Sequence, residues 1–307
     1  MAKRRYTKKQ KQLISLLTAV VVLVCFLVET VGPGWRRLTA SVGLAPETVT
    51  AEGELEVHFI DVGNADCTLV RQGDFALLID AGERGDDDAI LDYLNRHGVT
   101  DLDLVVATHA HADHIGAMAK VIRALPVARF VFAPMPAAHT PTTATYVSML
   151  EALDEKQVAV EAAQPNAVYE VGSARLQILA PLQEREDTND MSVVSRLTFG
   201  ERAFLFTGDA GVAVEDDLLY SGCTLQADVL KVGHHGSTTS NSAAFLSRVS
   251  PAYAFIPCGE GNSYGHPHEE VLASLQRRQS KIYRSDVHGD VVFVTDGTEL
   301  TVQTEKG

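Results

Sequence analysis

The 307-residue chain is 46% hydrophobic and 21% charged, a balance that excludes a low-complexity or disordered polypeptide and supplies one large domain or two small ones. The charge is uneven: residues 1–50 carry eight Lys/Arg against two Asp/Glu, and the remainder holds 18 basic against 38 acidic residues, a net of −20. So acidic a body repels polyanions at long range, which argues against tight non-specific nucleic-acid binding but leaves room for a local cationic site.

Six cations, Lys3, Arg4, Arg5, Lys8, Lys9 and Lys11, form a basic flank over residues 1–12 and precede an apolar run from Leu13 to Val28. As a helix this run reaches roughly 24 Å at about 1.5 Å per residue. That falls short of the roughly 30 Å hydrocarbon core, between a signal peptide and a short single anchor. The reading is an uncleaved signal-anchor, with a cleaved leader as the alternative. The basic flank places the N-terminus in the cytoplasm and the rest of a bacterial protein outside it, membrane-tethered or secreted. Residues 29–53, opening with Gly32-Pro33-Gly34, read as a linker, and the body is expected over 54–307. The four cysteines, Cys25, Cys67, Cys223 and Cys258, have no C-x-x-C spacing and suggest neither a thiolate metal site nor a disulfide framework.

Within the body, Val57–Asp61, Cys67–Val70 and Phe75–Asp80 read as short strands separated by Gly-containing turns, the third ending in Asp80-Ala81-Gly82. A helix is expected from Asp88 to His97 with Gly98 as its stop. The apolar run Leu102–Ala107 then leads into Thr108-His109-Ala110-His111-Ala112-Asp113-His114. Alternate residues leaving a strand project to one side, so His109 and His111 suit one cation, while Asp113 and His114, on the following turn, suit a second. Imidazole and carboxylate donors fit zinc, manganese or iron. A helix is expected over Ile115–Leu125 and a strand over Ala128–Ala133, and this alternation argues for an α/β sandwich. His139 lies in a Pro/Thr-rich loop, Pro134–Thr145, that would rim a substrate site.

Farther on, Ala174–Ala180, Ser192–Phe199 and Ala203–Thr207 read as strands, the last opening into Gly208-Asp209. Asp228–Val232 leads into Gly233-His234-His235-Gly236, and Tyr253–Pro257 leads to Gly265-His266-Pro267-His268. A helix over Glu269–Arg277 and strands over Lys281–Arg284, Val291–Thr295 and Glu299–Gln303 close the sheet. The four strand-end clusters of Asp and His are predicted to converge on one edge.

The residues His109-x-His111-x-Asp113-His114, Asp80, Thr207-Gly208-Asp209 and a distal histidine together resemble the metallo-β-lactamase superfamily. Within it, Phe59-Ile60-Asp61-Val62-Gly63, Asn189-Asp190-x-Ser192, Leu230–Ser237 and Tyr264-Gly265-His266-Pro267 resemble the hydrolase domain of ComEC/Rec2 DNA-uptake proteins and also phosphorylcholine esterases. The resemblance implies a four-layer αββα sandwich with two divalent metals, Zn2+ or Mn2+, at the sheet edge. It implies that Asp209 bridges them, that a water losing its proton between them is the nucleophile, and that Asp80 fixes the tautomer of a ligand histidine. Where many members carry a histidine before the bridging aspartate's strand, this chain offers Asn189 and Asp190. The distal ligand is His234 or His235, with the other ring and His266 contacting substrate or passing a proton to the leaving group. Asp113 and His266 are expected at the reacting bond, and Lys231 is read as a phosphate contact. The expected activity is hydrolysis of a phosphodiester, in a nucleic acid or a choline-type ester. Cleavage of a lactone, lactam or thioester is the alternative enzyme reading, and a metal-structured, membrane-tethered binding module is the non-enzymatic one.

Overall fold

The computed structural model describes residues 53–135 and 140–306. The apolar run Leu13–Val28 and His139 lie outside them. Among the described residues no helix is long and apolar enough to cross a membrane.

Among the described residues fifteen strands form two sheets. The first takes β1 (Leu55–Phe59), β2 (Thr68–Gln72), β3 (Phe75–Ile79), β4 (Leu104–Ala107), β5 (Arg129–Phe132) and β6 (Ala159–Ala162) together with β14 (Val291–Thr295) and β15 (Leu300–Thr304), in the order β15-β14-β1-β2-β3-β4-β5-β6. The second takes β7 (Val168–Val171), β8 (Ala174–Ala180), β9 (Val194–Phe199), β10 (Arg202–Phe206), β11 (Val229–Lys231), β12 (Tyr253–Ile256) and β13 (Lys281–Arg284), in the order β13-β12-β11-β10-β9-β8-β7. Each sheet is antiparallel on one side and parallel on the other: β3-β4-β5-β6 in the first, β10-β11-β12-β13 in the second. The last two strands thus return to the first sheet rather than closing the second.

Period-two alternation assigns the faces. Val57 and Phe59 of β1, Leu77 and Ile79 of β3, and Leu104 and Val106 of β4 meet Phe204 and Phe206 of β10 and Phe255 of β12 in one core between the sheets. The alternate residues Leu78, Val105 and Phe130 pack under the helices α1 (Asp87–Arg96), α2 (Ala112–Ile115), α3 (Met118–Ala124) and α4 (Ala144–Glu155). On the other sheet, Leu205, Leu230 and Ile256 pack under α5 (Val212–Ser221), α6 (Ala243–Val249) and α7 (Glu269–Arg277). A short α8 (Ser285–His288) joins β13 to β14. The result is an αββα sandwich whose inner parallel strands β4, β5, β11 and β12 are buried on both faces and read as largely apolar runs.

Three differences from the sequence expectations have local causes. The helix expected over Ile115–Leu125 is broken into α2 and α3 at Gly116, where a Cβ would come within 2.2 Å of the Glu83 backbone carbon. That close approach lets Gly116 and Ala117 donate to the carbonyls of Gly82 and Ala81, at 2.8 and 3.0 Å. Second, Thr143 ends the predicted loop by capping α4, its hydroxyl accepting from the Tyr146 amide at 3.3 Å. Third, α5 and α6 carry weak sequence signals. The second is only seven residues long and is fixed by Ser242, which accepts from the Phe245 amide.

On the helix-facing side of β1, buried His58 lies 2.9 Å from the Tyr93 hydroxyl and 3.1 Å from Glu56, with the His97 ring 4.7 Å away. Burial, opposed in part by Glu56, pushes the His58 pKa down to about 4. The neutral ring therefore donates through Nε2 to Glu56 and accepts from Tyr93. A histidine that titrates near 4 when folded and near 6.5 when unfolded binds fewer protons in the native state, so stability is lost as pH falls from 6.5 towards 4 and is constant above that window. The loss is on the order of 2–3 kcal/mol. Urea unfolding of the wild type and of His58→Gln across pH 4–7 is expected to show a shallower acid-side decline in the variant.

Candidate metal centre

The parallel strands of both sheets end at the same edge, and their loops carry the chemistry, the usual location for sites in open α/β sheets. After β3, Asp80 turns the chain with φ 59°, a left-handed conformation in which Asp is among the few tolerated side chains. Its carboxylate accepts from the Thr108 amide and hydroxyl, each at 2.7 Å, and from His114 Nδ1 at 2.8 Å. With Nδ1 donating to Asp80, His114 turns Nε2 toward Asp209 Oδ1 at 3.3 Å. His235 is arranged alike: Nδ1 faces the Pro257 carbonyl at 3.1 Å, and Nε2 stands 3.4 Å from Asp113 and 3.8 Å from Asp209 Oδ2.

A second group gathers on His109. Its Nδ1 lies 3.2 Å from the Thr108 hydroxyl and 3.4 Å from the Ser192 hydroxyl, which directs Nε2 toward His111 Nδ1 at 3.1 Å and Asp209 Oδ2 at 4.0 Å. His234 Nε2 approaches the same Asp209 oxygen at 3.7 Å while its Nδ1 meets the Thr239 hydroxyl at 2.8 Å. Asp209 is thus flanked by two sets of nitrogens, and its own amide donates to the Ser192 hydroxyl at 3.1 Å.

The adjacent histidines reach Asp209 together because both adopt left-handed backbone, φ 49° and 52°, at a cost on the order of 1–3 kcal/mol each. Asn241 braces this turn: its side chain accepts from the Gly233 amide at 3.0 Å and donates to the Gly233 and Ser237 carbonyls at 2.9 and 3.1 Å. Buried Glu215 in turn accepts from the Asn241 and Ser242 amides.

Several expectations change. Lys231 is not a substrate contact: it is buried, pairs with Asp66 and donates to the Gly208 carbonyl at 2.9 Å. Burial opposes its charge, but the Asp66 and Asp209 carboxylates hold its ammonium above its usual range. Asn189 and Asp190 form a 3₁₀ turn in which the Asp190 carboxylate accepts from the Gly211 amide at 3.1 Å, so Ser192, rather than either of them, stands beside His109. His266 lies over the pair, its ring 5.7 Å from His234 and stacked on the exposed Tyr264 at 5.6 Å. Burial, with His235 and His234, pushes His266 down to about 4, so at neutral pH it is uncharged and suited to hydrogen-bond a substrate oxygen rather than to act as an imidazolium acid. Asp113 keeps its charge, since the His235 and His114 imidazoles beside it outweigh burial and hold it below the usual carboxylate range. Asp66, Thr108, Ser192 and Glu215 had no role in the sequence reading. For Ser192 the available signal was its place in the quoted Asn189-Asp190-x-Ser192 motif.

The metallo-beta-lactamase superfamily model matches residues 60–260. The chain belongs to the metallo-β-lactamase superfamily. Among curated relatives of this metallo-β-lactamase chain, ComE operon protein 3 of Bacillus subtilis is 31% identical over 205 residues, 66% of this chain and 26% of its own length. Competence protein ComA of Neisseria gonorrhoeae is 30% identical over 289 residues, 91% of this chain and 38% of its own. The chain therefore spans well under half of these relatives. CmlA, a diiron β-hydroxylase of Streptomyces venezuelae, shares the fold with TM-score 0.52 at 16% identity, over 83% of this chain and 58% of that one.

The donor set fits the metals that the metallo-β-lactamase fold implies. His114 Nε2, His235 Nε2 and Asp209 Oδ1 are buried without hydrogen-bond partners among the described residues, a costly state for polar atoms unless a cation is their partner. One atom each from Asp113, His114, Asp209 and His235 falls within a 4.8 Å cluster. Around His109 the close approach of two ring nitrogens has the same character. Because Asp80 sets the His114 tautomer, Asp80→Asn, an isostere that also tolerates left-handed backbone, is expected to weaken metal affinity about 10–100-fold. Calorimetric titration of the demetallated protein reads this, and unchanged affinity would remove Asp80 from the centre.

Proposed function

We propose that this metallo-β-lactamase-fold hydrolase cleaves phosphodiesters at a dimetal centre, outside the membrane to which Leu13–Val28 tethers it. The observation carrying the proposal is the position of Asp209, whose Oδ1 lies beside His114 Nε2 and whose Oδ2 lies beside the Nε2 atoms of His109, His234 and His235. In this reading His109, His111 and His234 would hold one ion, Asp113, His114 and His235 would hold the other, and the Asp209 carboxylate would be shared between them. Ions so bound supply Lewis-acid stabilisation of phosphoryl charge and bring a water pKa near 7. The mixed imidazole and carboxylate donors, without thiolate, suit Zn2+ or Mn2+.

The protein's own groups do the rest. Asp80, Thr108 and Ser192 fix the tautomers of His114 and His109 before substrate arrives, so little reorganisation is left for the transition state. Neutral His266, on the rim, offers a ring N–H to a non-bridging or leaving oxygen, and the exposed Tyr264 stacked on it extends an aromatic ledge beside the site. The names of the relatives, competence proteins, favour a nucleic-acid substrate. The −20 body favours short or single diesters over long duplexes held electrostatically. The basic flank and apolar run support the outward placement.

The full chain loaded with Zn2+ or Mn2+ is expected to turn over bis(p-nitrophenyl) phosphate and a dinucleotide while leaving lactones, β-lactams and thioesters intact. Loss of a ligand exceeds the 10–100-fold effect of outer partners, so Asp209→Ala is expected to lower kcat/KM by more than about 100-fold. Hydrolysis of a lactone or lactam without phosphodiester turnover would overturn the proposal. Partner retention by a folded His109→Ala, Asp209→Ala chain without any turnover in the wild type would point to a binding module.

A further inference from the structure

Donors from two sheets meet at one carboxylate, and one residue outside the donor set touches the loops of both. Asp66, 5% exposed, sits just before β2. Its amide donates to the Asp113 carbonyl at 3.0 Å, and its carbonyl accepts from the Gly82 amide at 2.8 Å, which ties together the two first-sheet loops that carry Asp80 and His109–His114. Its carboxylate faces the second sheet. One oxygen pairs with the Lys231 ammonium and lies 3.7 Å from His114 Nδ1, and the other lies 3.6 Å from His235 Nδ1. Lys231, 4% exposed, is the last residue of β11 and donates to the Gly208 carbonyl, which also accepts from the His234 amide at 3.2 Å. The ammonium therefore grips the backbone unit that precedes Asp209 and anchors His234.

We propose that the Asp66–Lys231 pair is a positioning clasp that holds the two half-sites in register for metal binding, without itself touching metal or substrate. This rests on the dimetal reading of the site. A buried pair contributes little net stability against an apolar replacement, whereas removing one member leaves an uncompensated charge. Here the charge left behind, or the Gly208 carbonyl left without its donor, lies where Asp209 must be aimed. Lys231 is thereby used to orient ligands, and its position 4.0 Å from Asp209 Oδ1 places a fixed positive charge beside the carboxylate.

The test uses the full chain, stripped by chelator and titrated with Mn2+ and with Zn2+ by calorimetry, with bound metal counted by elemental analysis. Three variants are compared: Asp66→Asn, Lys231→Met and the double variant. Circular dichroism of the metal-free proteins checks the fold. Each single variant is expected to keep its secondary structure and to bind metal about 10–100-fold more weakly. The double variant is expected to be no worse than the poorer single, because both remove one interaction. Wild-type affinity in folded Asp66→Asn would overturn the clasp, and so would tighter binding by Lys231→Met, which would mean that the ammonium merely repels the ions. If Lys231→Met does not fold, the isosteric Asp66→Asn decides alone. A wild-type chain that binds no metal would overturn the dimetal reading, and the clasp with it, and is told apart by being read on the unsubstituted protein.

Discussion

An aromatic seam between the two sheets sets the separation on which the site depends. Phe59 at the end of β1 stacks on Phe255 of β12 with centroids 4.4 Å apart and planes 13° from parallel, and Phe206 at the end of β10 leans on Phe59 at 6.2 Å. Each of these rings stands at or next to a strand end that leads into the site: Phe59 before Ile60–Asp66, Phe206 before Thr207-Gly208-Asp209, and Phe255 two residues before Pro257, whose carbonyl orients His235. Close-packed aromatic interiors transmit small displacements instead of absorbing them. The seam therefore fixes how far the Asp209 loop stands from the first-sheet histidines.

Above the seam, the balance of charge controls what the site will hold. Asp66, Asp80 and Asp209 are buried and Asp113 is partly so, against a single buried ammonium among the described residues, Lys231. Burying several carboxylates in a low-dielectric edge is unfavourable unless cations neutralise them. The metal-free chain meets this in part by protonating imidazole: although burial opposes it, Asp209, Asp66 and Asp80 hold His114 charged well above its ordinary range. The same carboxylates would be satisfied more fully if bound divalent ions took the place of that proton, so metal uptake would be coupled to proton release.

The first half of the site was legible because its donors are consecutive. Four donors within six residues after an apolar strand need no tertiary knowledge to be recognised, and Asp80 and Asp209 announce themselves by sitting beside glycines at strand ends. What spacing could not show was backbone hand. Whether His234 or His235 faces Asp209 depends on two successive left-handed residues and on Asn241 bracing them, and in that turn both rings reach the same oxygen. Nor could a strand-end lysine be assigned an inward direction, since Asp66, its partner, lies 165 positions earlier in a loop of the other sheet. The strands were legible through their apolar alternation. The helices α4, α5 and α6 were not: their apolar faces are weakly periodic, and their ends are set by caps and packing.

The central claim, that Asp209 is shared by two ions held by different histidines of the His234-His235 pair, is tested most directly by anomalous diffraction from crystals of the Mn2+-loaded protein. Two peaks about 3.5–4 Å apart are expected, one beside His109, His111 and His234, the other beside Asp113, His114 and His235, with an Asp209 oxygen on each. A single peak, or ions bound away from Asp209, would contradict it.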